Sequence, residues 1–405
     1  MNKIKNKAKL FYSFTIKCLS PISVGNGEDI ETDHDIIRYS NNQPYIPAST
    51  ISGVFFSKQS NARRLYSIGS TKDFSPLFIS DGVFIGDYVE SSRDGNKLDY
   101  NIKTSLNTAV FNYETIEKGA SFSFFIEYTL INDIDINDIR NDILEISSKI
   151  NNGLYRIGFK QNRGLGKLEV TSLKEKIFEF NNLNLEEYLQ FSKNIDVTLE
   201  KCNMIDITND IKKIKIEMES IVALLKPISL INIKSKSRLK ENTDSKALTL
   251  INNENIAVIP GSSLNGALRA YAYKLAKKDH KEYLFRNSNY EDFNTRYVID
   301  DLYVEGHLIT KQRTKINRFT GGADDSALFD EKVFMPKALI DDSSLVKFTI
   351  SFYKDIDIEA RNYLIKSVKA LCDGLVAVGA ETSIGYGLFE GEIVNGEFND
   401  VDINL

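Results

Sequence analysis

The feature that most constrains this chain is a long, degenerate internal repeat. "LSPISVGNG" at 19–27 matches "LKPISLINI" at 225–233, and Pro47 in "YIPASTISG" matches Pro260 in "VIPGSSLNG". "AVFNYE" at 109–114 matches "ALFDEK" at 327–332, and "RGLGKLEV" at 163–170 matches "IGYGLFEG" at 384–391. The separation grows slowly in one direction, from about 206 to about 221 residues, and the order never changes. A repeat of this length points to two tandem copies of one domain. The 405 residues suit that reading, because a single hydrophobic core stops growing beyond roughly 250–300 residues.

Hydrophobic periodicity gives both copies the same order of elements. In the first half, Tyr12, Phe14, Ile16 and Cys18 alternate with Ser13, Thr15 and Lys17, which predicts a strand. A helix is expected after Ser49, with that hydroxyl placed to cap its first turn. "DGVFIGDYV" reads as a strand, 90–118 as an irregular polar stretch, and "SFSFFIEYTL" as a strand with Phe122, Phe124, Ile126 and Tyr128 on one face. Ile139, Ile143, Ile146 and Ile150 predict a second helix. A glycine-rich segment, "GLYRIGFKQNRGLG", then leads into the strand "KLEV". The second half repeats the order. Ile214, Ile216 and Met218 mark a strand, a helix opens at "GSSLNGALRAYAYKLAKK", and "RYVIDDLYV" reads as a strand. A polar stretch over 308–336 precedes the strand with Phe348, Ile350 and Phe352. Leu364, Ile365, Val368, Leu371 and Cys372 stripe a helix, and "GAETSIGYG" precedes the strand "LFEGEIV". Each half is therefore β-α-β-β-α-β, the ferredoxin-like order of an α+β fold. The expected boundaries are a first domain at 1–175, a partly helical connector at 176–210 and a second domain at 211–405.

Composition removes several function classes. No apolar run reaches the roughly 18–20 residues a membrane-spanning helix needs, and "MNKIKNKAKLFYSF" is basic without a signal-peptide apolar region. The expectation is a cytoplasmic protein with no membrane association. Cys18, Cys202 and Cys372 are odd in number and far apart, in neither a disulfide nor a zinc pattern. A net charge of −5 speaks against indiscriminate nucleic-acid binding but not against a local groove. Between Lys226 and Lys240, "KPISLINIKSKSRLK" carries five basic residues and no acidic one.

Side by side, these motifs make the chain resemble the RAMP superfamily, the repeat-associated proteins that build the backbone of type III CRISPR effector complexes. The likeness rests on a Pro-Ile-Ser strand end with a glycine loop ("SPISVGNGE"), a helix start of the form "IPGSSLNGALR", and a loop of the form "RGLG" before the last strand. It implies a tandem, type III-D-like fusion of two ferredoxin-like (RRM-like) backbone domains. Each domain would carry a thumb-like β-hairpin insertion. The implied partners are a CRISPR guide RNA, a target RNA, and other RAMP and large-subunit proteins of the complex.

Such a subunit has to hold RNA, and the motifs offer the means. Gly164, Gly166, Gly385 and Gly387 permit close approach of backbone N–H groups to phosphate. Ser262 and Ser263 lie at a helix start, where free N–H donors favour anions, and Ser49 lies at the equivalent start in the first half. Arg163 and Arg269 offer charge-assisted contacts. The second half lacks the Gly-x-Gly after "KPIS", and Lys234, Lys236 and Arg238 are expected to replace it. In "TKQRTKINRFTGGADDSALFDEKVF", Lys311, Arg313, Lys315 and Arg318 give the second thumb its charge, while the first counterpart, "NIKTSLNTAVFNYETIEKG", is less basic. The first copy also has Ala48 for the usual Gly and Phe56 for the usual Arg, with Arg63 and Arg64 as substitutes. The second copy is thus expected to grip RNA in the family manner.

Family members that cut their target place an Asp between the first strand and the "IPGSS" helix and require a divalent metal, magnesium or manganese. Here the candidates for catalysis and metal binding are Asp33, fourteen residues before Pro47, and Asp244, sixteen before Pro260. Asp35 rivals Asp33, which is preferred for its place before Ile36 and Ile37. His34, between two acids, reads as a bystander. The resemblance implies a metal-dependent endoribonuclease acting within a complex. Two alternatives stay open: a non-catalytic guide-binding scaffold or capping subunit, and a stand-alone CRISPR RNA processing nuclease.

Overall fold

The computed structural model describes residues 6–25, 34–56, 75–98, 105–131, 135–180, 185–194, 203–212, 219–235, 246–247, 249–250, 253–276, 297–341, 344–354 and 356–395. The chain forms two compact units. The first comprises 1–90, 114–161 and 166–217; the second comprises 91–113, 162–165 and 218–405. Two stretches from the first half of the sequence thus belong to the second unit.

The elements of the first half are β1 (Asn6–Cys18), β2 (Tyr45–Ile46), α1 (Ala48–Ile51), β3 (Leu77–Ile79), β4 (Gly82–Ile85), β5 (Glu90–Leu98), β6 (Ser105–Ile116), β7 (Ser121–Ile131), α2 (Ile136–Asn151), β8 (Leu168–Glu179), α3 (Leu185–Asn194), β9 (Ile205–Asp206) and α4 (Thr208–Ile211). In the first unit, β1 lies between β7 and β8, antiparallel to both, and β3 and β4 pair with the far edge of β7. The alternation in β1 has the expected effect: Leu10, Tyr12, Phe14, Ile16 and Cys18 are fully buried. Phe14 stacks on Phe124 across the ladder at 4.8 Å. α2 covers this face with Ile139, Ile143, Ile146 and Ile150, and its N-cap is Asp135, which accepts from the Asn137 N–H at 2.9 Å. On the other face, Phe11, Phe178 and Phe191 meet edge to face, with ring centroids 4.8 to 6.0 Å apart. The segment expected as a connector therefore supplies the end of β8 and the whole of α3 to this second, smaller core.

The remaining elements are β10 (Glu219–Pro227), β11 (Lys234–Ser235), β12 (Lys246–Ala247), β13 (Thr249–Leu250), β14 (Asn253–Ile259), α5 (Gly261–Leu275), β15 (Tyr297–Ile299), β16 (Leu302–Ile316), β17 (Ala323–Pro336), β18 (Val346–Phe352), α6 (Ile358–Cys372) and β19 (Phe389–Asn395). β10 lies between β18 and β19, and β15 pairs with the outer edge of β18, all antiparallel. The core gathers Ile221, Ala223 and Leu225 of β10, Phe348, Ile350 and Phe352 of β18, and Leu364, Val368 and Leu371 of α6. Asp357 caps α6, accepting from the Ala360 N–H at 2.9 Å.

Several expectations change. Ile214, Ile216 and Met218 lie outside the described residues, and the strand that fills the role is β10, directly after them. "RYVIDDLYV" is two strands, β15 and β16, parted by Asp300 and Asp301. The polar stretches are ordered as well: β5 pairs with β6, and β16 with β17 from Gly306↔Pro336 to Ile316↔Ala323. Polarity hid them, because the outer part of a ribbon needs no apolar alternation and is held by its backbone ladder. Among the described residues, the helix after Ser49 opens as one α-turn running into a π-turn, Ser52–Phe56.

Candidate nucleic-acid interface

Each unit builds the same backbone frame around its glycine-rich loop. In the first, Gly166 N–H donates to Pro21 O at 2.9 Å, Ile157 N–H to Gly166 O at 3.2 Å, and Phe159 N–H to Ser23 O at 2.7 Å. In the second, Gly387 N–H donates to Leu230 O at 2.8 Å, Val378 N–H to Gly387 O at 2.9 Å, and Ala380 N–H to Asn232 O at 2.7 Å. A serine hydroxyl completes each frame: Ser20 Oγ accepts from Lys167 N–H at 2.9 Å, and Ser229 Oγ from Leu388 N–H at 2.8 Å. These bonds correct the first repeat match. Ser20 corresponds to Ser229 and Ile22 to Ile231, so the two Pro-Ile-Ser strings are three residues out of register. Pro227 still belongs to β10, whereas Pro21 lies beyond the end of β1.

The glycines are demanded by this frame. Gly166 and Gly387 have φ of +78° and +72°. A Cβ would lie 2.2 Å from Ile157 O in one and 1.9 Å from Val378 O in the other. Gly385, at φ +90°, faces open space instead. Gly164, at φ +94° in the second unit, would place a Cβ 2.4 Å from Asp301 Oδ1.

At both helix starts the cap comes from a distant aspartate. Pro47 and Pro260 occupy the cap positions, and neither helix has a local side-chain cap bond. Asp81 Oδ1 accepts from Ala48 N–H at 2.7 Å, and Asp301 Oδ1 from Gly261 N–H at 2.8 Å. Sequence reading missed both residues, although an acid before the strand after each helix is the shared signal, in "SDGVFI" and "DDLYV". Their surroundings differ. Asp81 is half-buried and takes the Tyr39 hydroxyl at 3.3 Å; burial and then Asp81 push that phenol up to about 12. Asp301 is fully buried within the second unit and pairs with Arg93 Nη1 at 2.8 Å. Ser49 is exposed, and Ser262 and Ser263 are half-buried.

The side chains carried by the two loops also differ. In the first unit, Lys160 stands at φ +53° with its Nζ 5.3 Å from the Phe159 ring centre; Arg163, three residues on and part of the second unit, is exposed. His34 packs on Phe159 at 4.6 Å, and burial, then Lys160, lowers its pKa. Arg38 binds Glu90 at 2.9 Å and Glu114 at 3.2 Å. In the second unit, Glu381 takes the position of Lys160, at φ +60°. It holds Arg313 Nη1 at 2.6 Å, while Glu331 holds Nε at 3.2 Å and the Tyr386 hydroxyl accepts from Nη2 at 2.8 Å. Burial opposes the charge of Arg313, but the hydrogen bond to Tyr386 and the charges of Glu331 and Glu381 outweigh it and raise its pKa.

Of the other expected residues, Arg269 is half-buried on α5, Arg318 is exposed in the turn between β16 and β17, and Phe319 beside it is 91% exposed. Lys234 lies in β11. Asp33, Asp244, Lys236, Arg238, Arg63 and Arg64 lie outside the described residues. Among the described residues, no His, Cys, Asp and Glu side chains group closely enough to hold a metal ion, and no helix is long and apolar enough to cross a membrane.

Comparison with known families decides the relationship: the RAMP superfamily matches residues 15–169 and 240–390. The chain belongs to the RAMP superfamily. No curated protein matches it. The first RAMP region runs from β1 into β8 and the second from residue 240, between β11 and β12, into β19, so each contains one helix start, one ribbon and one glycine-rich loop. The RAMP match takes in the whole first frame and, of the second, the glycine-rich loop and the Asp301 cap, while Ser229, Leu230 and Asn232 lie ahead of it.

Proposed function

We propose that this RAMP-superfamily chain is a subunit of a type III CRISPR RNA-guided effector complex, in which it binds guide RNA and cleaves paired target RNA. The observation that carries the reading is the frame built twice around a glycine-rich loop, with each of those loops inside a RAMP region. The edge-to-edge strand order of β4, β7, β1, β8 in one unit and β15, β18, β10, β19 in the other supports a ferredoxin-like domain in each. The β5–β6 and β16–β17 ribbons are then the two thumbs.

The frame uses the Gly166 and Gly387 N–H groups internally, so the grip on phosphate falls to basic side chains. Lys160 and Arg163 serve the first domain; Arg318 and the Lys234 to Arg238 run serve the second. Cleavage belongs to Asp33 and Asp244. The target's 2′-hydroxyl attacks the adjacent phosphorus, its proton passes to the loop carboxylate, and the 5′-oxygen leaves, giving a 2′,3′-cyclic phosphate. A magnesium or manganese ion bound at these aspartates would offset the phosphate charge.

The test is cutting of labelled complementary RNA by the assembled complex carrying Asp33→Ala, Asp244→Ala or both. Each single change should remove one set of products and the double change all of them. Unchanged cutting by the double variant refutes the nuclease and leaves a guide-binding scaffold.

A further inference from the structure

The two glycine-rich loops share one backbone and carry opposite charge at one position. Lys160 and Glu381 occupy the same place in the repeated frame, each one residue past the N–H that bonds Ser23 O or Asn232 O at 2.7 Å. Both hold a left-handed backbone, φ +53° and +60°, that non-glycine residues seldom adopt. The fold therefore tolerates either charge there, and the choice of Glu in the second unit needs another reason.

That reason is Arg313. Its guanidinium spreads its donors over Glu381, Glu331 and the Tyr386 hydroxyl. The two carboxylates are unequal. Glu331 is 1% exposed and is itself fixed by Asn232 Nδ2 at 2.7 Å, so it positions the arginine permanently. Glu381 is 21% exposed, sits on a loop and touches the outer Nη1. A carboxylate oxygen on a terminal nitrogen of an arginine occupies the place that a phosphate oxygen takes in arginine recognition. Four residues along the loop, Gly385 has nothing within 4 Å of where a Cβ would stand.

We propose that Arg313 and Tyr386 form an anion site for an RNA phosphate, and that Glu381 is its internal occupant, displaced when RNA binds. The proposal rests on the RNA-binding reading and sharpens it. The first domain, with Lys160, grips phosphate outright; the second does so only by exchanging Glu381, so the two domains hold one strand with unequal strength. This reverses the expectation that the second copy holds RNA in the family manner and the first departs from it.

The test uses the full chain and a fluorescein-labelled single-stranded RNA, read by anisotropy over a salt series. Glu381→Gln should tighten binding about three- to fivefold, the scale of one partly exposed ion pair. The log–log salt slope should stay that of the wild type, since Arg313 meets the phosphate in both, and should fall by about 0.7 when Arg313 is replaced as well. Arg313→Ala in the Glu381→Gln background should cancel the gain. Glu359→Gln, an equal charge change on α6, should give no comparable gain. Circular dichroism and melting curves identify any variant that misfolds. In that case Glu381→Asp, which keeps the charge but shortens its reach, should tighten binding by a smaller factor. Unchanged or weaker binding by folded Glu381→Gln, or a gain that survives Arg313→Ala, overturns the proposal while leaving RNA binding intact. A wild-type chain that binds no RNA at all ends the underlying reading as well.

Discussion

Replacing Asp301 by Asn should be among the most destabilising single changes in the second unit. The carboxylate is 1% exposed and the Arg93 side chain 4%, their atoms are 2.8 Å apart, and the same carboxylate caps Gly261 N–H at 2.8 Å. An asparagine can keep one bond. With its oxygen toward Gly261 it turns an amide N–H₂ onto the guanidinium, donor against donor, and removes the carboxylate charge from a buried cation. Breaking a buried pair from one side costs about 3–5 kcal/mol. Asp81→Asn is the internal control: its cap bond is equivalent, but the site is half-buried and its other bond among the described residues is to the Tyr39 hydroxyl, so the cost should be about 1 kcal/mol. Differential scanning calorimetry of the full chain should place the Asp301→Asn midpoint for the second unit lower by about 6–20 °C, at 2–4 °C per kcal/mol for a unit of this size. Arg93→Met on top of Asp301→Asn should recover part of the loss. An Asp301→Asn midpoint no lower than that of Asp81→Asn, or no recovery in the double variant, would refute the argument.

Other outcomes follow from the same geometry. Gly387→Ala, which drives a Cβ to 1.9 Å from Val378 O at φ +72°, should cost the second unit well over the roughly 1 kcal/mol of positive-φ strain alone. Gly385→Ala faces open space and should cost about that 1 kcal/mol; equal urea midpoints for the two would contradict the packing argument. His34 has its pKa lowered from 6.5 by burial and then by Lys160. The unfolded chain therefore binds the proton more readily than the native one, and the stability due to neutral His34 is complete above 6.5 and falls away as pH drops below it. Stability of the first unit should decline on acidification from pH 7, and His34→Gln should flatten that slope; an unchanged slope would count against the half-buried, neutral ring.

Much of the architecture could be read from periodicity. The buried face of β1 and the isoleucine stripe of α2 follow from alternation and helical spacing, because burial of one face imposes those patterns directly. The ribbons were obscured for the opposite reason: β16 and β17 carry polar residues on an exposed ladder, where nothing selects for apolar alternation. Asp81 and Asp301 were missed because a local search for caps looks at Ser49 or Ser262, whereas the carboxylate arrives from the next strand in space. The glycine-rich loops were recognised for the right residues and given the wrong immediate partner. Gly166 and Gly387 are set by contact with the chain's own Ile157 and Val378 carbonyls. The ion pairs around Arg313 were beyond sequence reasoning, since Glu331 and Glu381 reach it from two segments far apart in the chain. The three-residue slip of the Pro-Ile-Ser match shows how a short string can mislead where hydrogen bonds do not.

The central claim is that this RAMP chain holds a guide RNA, and the most direct measurement is of the RNA it protects. The complex should be assembled in cells supplied with a repeat-spacer array, purified through this chain after cross-linking, and trimmed with nuclease before the bound RNA is sequenced. The account predicts fragments of repeat-derived guide RNA cross-linked to peptides from both units, with weaker recovery from the second. Recovery of no RNA, or of cellular RNA without enrichment of the guide, would contradict it.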